Sequence, residues 1–289
     1  MSGHLLEVER VTKSFAIGGL FGRSHFRAVD DVSFTVQAGR PEILAIIGES
    51  GSGKTTLARM ILNTLAPTTG AIRFCGEDLH QVRGRKRRLD FIRQIQPILQ
   101  NPYEAFNPLK RVDRYLYASA GRLAGARPQK ARDEVVDAAL HKVGLSLAEV
   151  RGRFPHELSG GQLQRTAIAR ALISSPALIV ADEPVSMVDA SLRMAIVNLF
   201  QRLRDELQVS ILYITHDLAT AYYISDRVII MQKGKVVETG PAREVLTHPQ
   251  HPYSILLKES VLSPDDVGRG RLTREHDGAA MRLERTPNS

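Results

Sequence analysis

Two kinds of hydrophobic pattern run through this chain. From Leu5 to Val11 and from Val29 to Val36 apolar and polar residues alternate, as in strands with one buried face, with a loop carrying Gly18, Gly19 and Gly22 between them. Ile43-Leu44-Ala45-Ile46-Ile47, Ala177 to Ala181 and Val209 to Thr215 are instead almost unbroken apolar runs, as in parallel strands covered on both faces. Helical spacing predicts helices over Thr55 to Leu65, Arg88 to Gln94 and Ala131 to Val143, and again through Leu192, Ile196, Leu199, Phe200 and Leu203. Thr68-Thr69-Gly70 turns the chain into a strand at Ala71 to Phe74. Arg227 to Met231 and Lys235 to Glu238 read as a hairpin around Lys233-Gly234, and Pro241 begins a short helix. Between about Pro102 and Arg170 helical patterns predominate, which predicts an α-helical subdomain over 102–170 inserted into a core of residues 1–250. An extension follows at 251–264, and residues 265–289 have the polar composition of a disordered tail.

Composition mainly excludes. The 289 residues allow one large domain with an inserted subdomain or two modest domains. Cys75 is the only cysteine, which rules out a disulfide within the chain and a cysteine-ligated metal cluster. The N-terminus meets charge too early for a secretory signal, and no apolar run approaches the ~20 residues needed to cross a bilayer. A cytoplasmic protein with at most a peripheral membrane role is expected. The net charge of +8, from 39 basic and 31 acidic residues, permits an anionic partner without requiring one. The densest basic run, Arg83-Gly84-Arg85-Lys86-Arg87-Arg88, has no interleaved aromatic residues and reads as a solvated loop and helix start rather than a nucleic-acid patch.

Candidate chemistry sits at the ends of the apolar runs. Gly48-Glu49-Ser50-Gly51-Ser52-Gly53-Lys54-Thr55, followed by Thr56, fits the phosphate-loop pattern G-x-x-x-x-G-K-[ST] between a predicted strand and a predicted helix. A loop that wraps multiply charged phosphates must turn its N–H groups inward, and the helix N-terminus behind it adds about half a positive charge. Lys54 then reaches the outer phosphates, and the Thr55 hydroxyl is placed to ligate Mg2+. Ser159-Gly160-Gly161-Gln162 opens another helix: an ordinary cap in isolation, or a second anion-binding end able to serve another subunit. The run at Ala177 ends in Asp182-Glu183, with Asp182 suited to hold Mg2+ through water and Glu183 to polarise an attacking water. His216 stands at the end of the next run, where it could donate a hydrogen bond to a γ-phosphate. Phe15 and Phe26 either pack into the β-layer or stack on an adenine. Prolines around His248 and His251 deny them a shared helical face, so a metal site is not expected there.

In combination these elements make the chain, over roughly Leu5 to Pro252, resemble the ATP-binding subunits of ATP-binding cassette (ABC) transporters. The resemblance implies an α/β P-loop NTPase core with an antiparallel β subdomain and an inserted α-helical subdomain, acting as an ATPase on ATP with Mg2+. It implies that Phe15 stacks on adenine, that Gly48 to Thr56 form the Walker A loop, and that Gln100 is the Q-loop glutamine and a Mg2+ ligand beside Thr55 and Asp182. Leu158 to Gln162 become the signature, Asp182 and Glu183 the Walker B pair, Asp189 the D-loop aspartate at the nucleotide, and His216 the switch histidine. Glu183, His216, Gln100 and Lys54 are then the catalytic set. Val185 stands where the family commonly has threonine.

Such subunits pair head to tail, each ATP held by the Walker A loop of one chain and the signature of the other. The implied partners are a second ATP-binding subunit, identical or related, and transmembrane permease subunits on the cytoplasmic face of the inner membrane. His248-Pro249-Gln250-His251-Pro252-Tyr253, with Asn101-Pro102 through Asn107-Pro108, resembles the oligopeptide, dipeptide and nickel importer branch. That branch works with an external substrate-binding protein and carries peptides, oligosaccharides, opines or nickel. A soluble cassette ATPase of translation or DNA maintenance is the competing reading. Such proteins usually hold two cassettes or a long coiled coil, and neither is present. A regulator without turnover is opposed by Glu183 and His216, and no nucleic-acid partner is expected.

Overall fold

In the computed structural model, which describes residues 3–19 and 22–261, the chain opens on a long antiparallel pair. β1 (His4–Gly19) and β2 (Gly22–Gln37) extend well beyond the stretches where apolar and polar residues alternate, and their ends occupy the predicted glycine loop. The physical reason is burial. Phe15, Ala16, His25, Phe26 and Arg27 are exposed on this outer arm, so hydrogen-bonded pairing continues there without a buried face to dictate apolar positions.

β3 (Ile43–Ile47) leads through the phosphate loop into α1 (Lys54–Ile61). This helix is shorter than the pattern to Leu65 predicts. Asn63 adopts a left-handed backbone with φ 53°, and its side-chain amide donates to the Leu79 carbonyl at 2.7 Å, which turns the chain away. β4 (Thr69–Phe74) and β5 (Glu77–Asp78) join the antiparallel sheet, and α2 (Arg85–Gln94) delivers β6 (Ile95–Ile98) to the parallel one. A helical stretch follows: α3 (Val112–Arg122), α4 (Gln129–His141), α5 (Leu147–Val150) and α6 (Gly160–Leu172). β7 (Leu178–Asp182), α7 (Ala190–Leu207), β8 (Ser210–Thr215) and α8 (Leu218–Ile224) return to the core. β9 (Arg227–Gln232) and β10 (Lys235–Pro241) form the hairpin, followed by α9 (Ala242–Thr247) and α10 (Pro252–Val261). The tail predicted at 265–289 lies outside the described residues. Among the described residues, no helix is long and apolar enough to cross a membrane.

The six-stranded sheet has the order β10-β9-β3-β8-β7-β6 and is parallel except at β10, and the antiparallel sheet has the order β2-β1-β4-β5. Successive residues of the parallel strands point to opposite sides, and each side has its own cover. Leu44, Ile46, Val180, Leu212 and Ile214 pack with α1 and the antiparallel sheet. Ile43, Ile179, Ala181, Ile211 and Tyr213 pack with α3 to α7, while Ala45, Ile47, Val228 and Ile230 pack with α8 to α10. Register then sets the chemistry. Ile47 pairs with Thr215 and Asp182 with Ile214, so the phosphate loop, the two carboxylates and His216 all leave the sheet at the same edge.

Candidate active site

The phosphate loop is shaped by close approach and by one buried cation. Gly53 has φ 105° and lies so near the Ala28 carbonyl that a Cβ would collide with it. Lys54 is only 5% exposed, and its Nζ donates to the carbonyls of Gly48 at 2.6 Å and Glu49 at 2.8 Å. Burial lowers the Lys54 pKa, and the charges of Glu183, Asp182 and Glu49 oppose that shift. Ser52, within the loop, is buried, with its Oγ 3.5 Å from Nζ.

β7 ends at Asp182, and Glu183 beyond it takes a left-handed backbone with φ 46°, which breaks the strand's alternation of faces. Its conformation is held by its N–H donating to the Ile214 carbonyl and by the Ser186 hydroxyl donating to its own carbonyl, both at 2.9 Å. Asp182 accepts a hydrogen bond from Thr55; burial raises its pKa, with Thr55 and Lys54 pulling it down and Glu183 adding to the rise. The Glu183 carboxylate is engaged at both oxygens. Oε2 accepts from Gln100 Nε2 at 2.9 Å, and Oε1 lies 3.1 Å from His216 Nδ1. Three residues far apart in sequence thus meet at one carboxylate.

A cavity of about 700 Å³ is lined by most of the phosphate loop, Thr55, Thr56, Gln100, Glu183 and His216, together with Phe26, Leu257 and Ser260. Phe15 is not in the lining. It is the cross-strand partner of Phe26, and the Lys13 ammonium sits 5.3 Å from its ring centre. Ser52, Ser159, Gly160, Gly161, Gln162, Asp182 and Asp189 are also absent from the lining. Ser159 is exposed at the start of α6, where its Oγ accepts the Gln162 N–H at 3.2 Å and its N–H donates to Gln162 Oε1 at 3.0 Å. Gly161 packs against Leu192 of α7, and Asp189 is exposed just before that helix.

The wall made by α10 escapes sequence reasoning. The Tyr253 hydroxyl accepts the Glu49 N–H at 3.0 Å, a contact between residues 204 positions apart. The His-Pro-Tyr motif was its only signal, and a motif does not name the group it touches. For a cation, the Thr55 hydroxyl and Asp182 carboxylate offer hard oxygen donors, the kind suited to Mg2+, which takes its remaining ligands from phosphates and water. Among the described residues, no cluster of three His, Cys, Asp or Glu side chains could hold a metal by protein ligands alone.

The family described as ABC transporter matches residues 29–186, and the family described as Oligopeptide/dipeptide transporter, C-terminal region, matches residues 237–288. The chain is 39% identical over 285 residues to the oligopeptide transport ATP-binding protein OppF of Bacillus subtilis, covering 98% of this chain and 91% of that protein. It is 40% identical over 274 residues to the oligopeptide transport ATP-binding protein AppF of the same organism, covering 94% and 82%. Among solved structures, a dimeric ATP-binding cassette in a post-hydrolysis state bound to ADP and Pi aligns with a TM-score of 0.71 at 26% identity, over 82% of this chain and 99% of that one.

Proposed function

The chain belongs to the ABC transporter family, and from that premise we propose that it is the ATP-hydrolysing subunit of a peptide importer, working by closing on ATP against a second ATP-binding subunit. One observation carries the reading. Lys54, Gln100, Glu183 and His216 border one cavity, while the Ser159 helix end lies outside it and faces solvent. A helix start with outward N–H groups is half of an anion site, and phosphates displayed on a partner's loop supply the other half. The partner is a second copy or a related chain. Peptide as cargo follows the names of the relatives.

In this reading residues 1–250 are the cassette, and the helical subdomain at 102–170 docks on transmembrane permease subunits at the cytoplasmic face of the membrane. An external binding protein delivers the cargo. Gly48 to Thr56 cradle the phosphates, and Lys54 exchanges the neutral carbonyls of Gly48 and Glu49 for anionic oxygens, which make stronger partners. The adenine lies at the Phe15–Phe26 pair, with Phe15 as its stacking platform. Thr55, Asp182 and Gln100 would hold Mg2+, which offsets phosphate charge when bound. Glu183 orients and polarises the attacking water, and His216 beside it donates to the γ-phosphate. Asp189 and Ser159 to Gln162 close on the nucleotide held by the partner. Hydrolysis then turns one linked anion into two that repel, so the pair opens and the permease changes conformation.

Purified alone, the chain is expected to hydrolyse ATP slowly, and assembly with the permease subunits to accelerate it. Absence of stimulation by the permease, with stimulation by ribosomes or DNA in its place, would contradict the importer assignment.

A further inference from the structure

The triplet His251-Pro252-Tyr253 has no task in the ATPase cycle described above, yet its three residues have distinct structural jobs. His251 Nδ1 accepts the Tyr253 N–H at 3.1 Å and so caps α10, while the His251 carbonyl accepts the Ile255 N–H at 3.1 Å. Pro252 opens the helix, where a missing N–H costs nothing. Tyr253 is 5% exposed, and its hydroxyl accepts the Glu49 N–H at 3.0 Å, inside the phosphate loop. The approach to the helix is tied to the core in turn. Glu238 on β10 accepts the N–H groups of Gln250 at 2.9 Å and His251 at 3.1 Å.

We propose that this triplet is a latch on the phosphate loop: Tyr253 fixes the Glu49 peptide and thereby sets the loop's affinity for nucleotide phosphates. The inference rests on the reading of Gly48 to Thr56 as the ATP phosphate site. A loop with Gly48, Gly51 and Gly53 loses much conformational freedom when it is ordered. Lys54 holds the carbonyls of Gly48 and Glu49. That grip is given up when the ammonium turns to the phosphates. The Tyr253 contact is on the N–H side of Glu49 and does not use the carbonyls that Lys54 would release, so the latch can hold the loop through the exchange. Leu257 and Ser260, on the same helix, line the cavity, so α10 also forms a wall of the site whose loop it holds. Tyr253 is thus a positioning residue, acting on the nucleotide only through the loop.

Tyr253→Phe in the full chain keeps the ring and removes the acceptor, leaving the Glu49 N–H unpaired. Titrations with ATP, ADP and adenosine give the decisive comparison. The latch predicts that ATP and ADP bind about three- to tenfold more weakly, the scale of one lost hydrogen bond, while adenosine binding is unchanged. KM for ATP rises by the same factor, and the rate at saturating ATP stays within about twofold. His251→Ala gives a milder form of this pattern, and His251→Asn, which restores a capping acceptor, recovers it. Amide hydrogen exchange across residues 48–53 of the nucleotide-free chain increases in Tyr253→Phe. Unchanged ATP and ADP affinity in that variant overturns the latch, as does unchanged exchange in the loop or an equal loss for adenosine. If the unaltered chain does not bind ATP and Lys54→Ala alters nothing, the phosphate-site reading fails and the latch falls with it. That outcome is distinct from an intact ATP site indifferent to Tyr253.

Discussion

Glu183 combines a left-handed backbone, φ 46°, with a carboxylate bonded at both oxygens to Gln100 and His216. A non-glycine residue in that conformation costs of order 1–3 kcal/mol, and such strain gathers where geometry matters to chemistry. Glu183→Gln preserves size and backbone but removes the carboxylate proposed as the base. Steady-state turnover is expected to fall by about 10² to 10⁴, with ATP affinity retained and ATP-bound chains trapped as pairs. Normal turnover would remove Glu183 from the role given to it.

Burial raises the Asp182 pKa above its ordinary 3.8, so the folded chain keeps this proton more readily than the unfolded chain. Stability from the group is therefore full below the unfolded value and is lost as pH rises through the folded one. Nucleotide-free Asp182→Asn should melt a few degrees above the unaltered chain at neutral pH, and the gap should close as pH falls toward about 4. A gap independent of pH would show that the carboxylate charge is not the source. The motif residues that converge at this edge stood out in the sequence, because phosphate chemistry restricts residue types. The engagement of Glu183 by Gln100 and His216 was not readable, since it depends on the pairing of β7 with β8 and with β6.

At the level of elements, the phosphate loop is bounded by β3 and α1 and squeezed against β2. Gly51 and Gly53 both have positive φ, at 81° and 105°, but only Gly53 has backbone where a side chain would go. Gly51→Ala should cost about 1–2 kcal/mol from conformation alone. Gly53→Ala must also displace the loop from Ala28, and is expected to lower the melting temperature further and to abolish ATP binding. Equal melting temperatures would mean that the approach to Ala28 is not constraining. Core strands were legible as apolar runs because both of their faces are buried. The outer hairpin arm and the early end of α1 were not, because solvent exposure in one case and the Asn63 to Leu79 bond in the other leave no periodic trace. α10 was visible as a motif, while its contact with Glu49 is a product of tertiary packing.

The whole molecule divides the machinery between two surfaces. One holds the phosphate loop, Gln100, Glu183 and His216 around a cavity; the other presents Ser159 at an exposed helix start, braced by Gln162. Each of the parallel strands ending at the first surface is covered on both faces, which makes that edge a rigid platform, whereas α6 belongs to the helical block between β6 and β7. In the proposed cycle a chain so arranged would grip ATP on one side and complete a partner's site with the other. Fold class, loop and carboxylates were all foreseeable from pattern and motif, but the separation of the two surfaces is visible only once the helical block is placed.

Separating binding from turnover at Ser159 tests this division most directly. In the transporter assembled with its permease subunits, Ser159→Arg is predicted to leave the chain's own ATP affinity within about threefold while turnover falls by about 10² or more, whereas Lys54→Ala loses both. ATP affinity lost together with turnover in Ser159→Arg would place that serine in the same site as Lys54, and full turnover would leave it with no part in the reaction; either result contradicts a nucleotide shared between two chains.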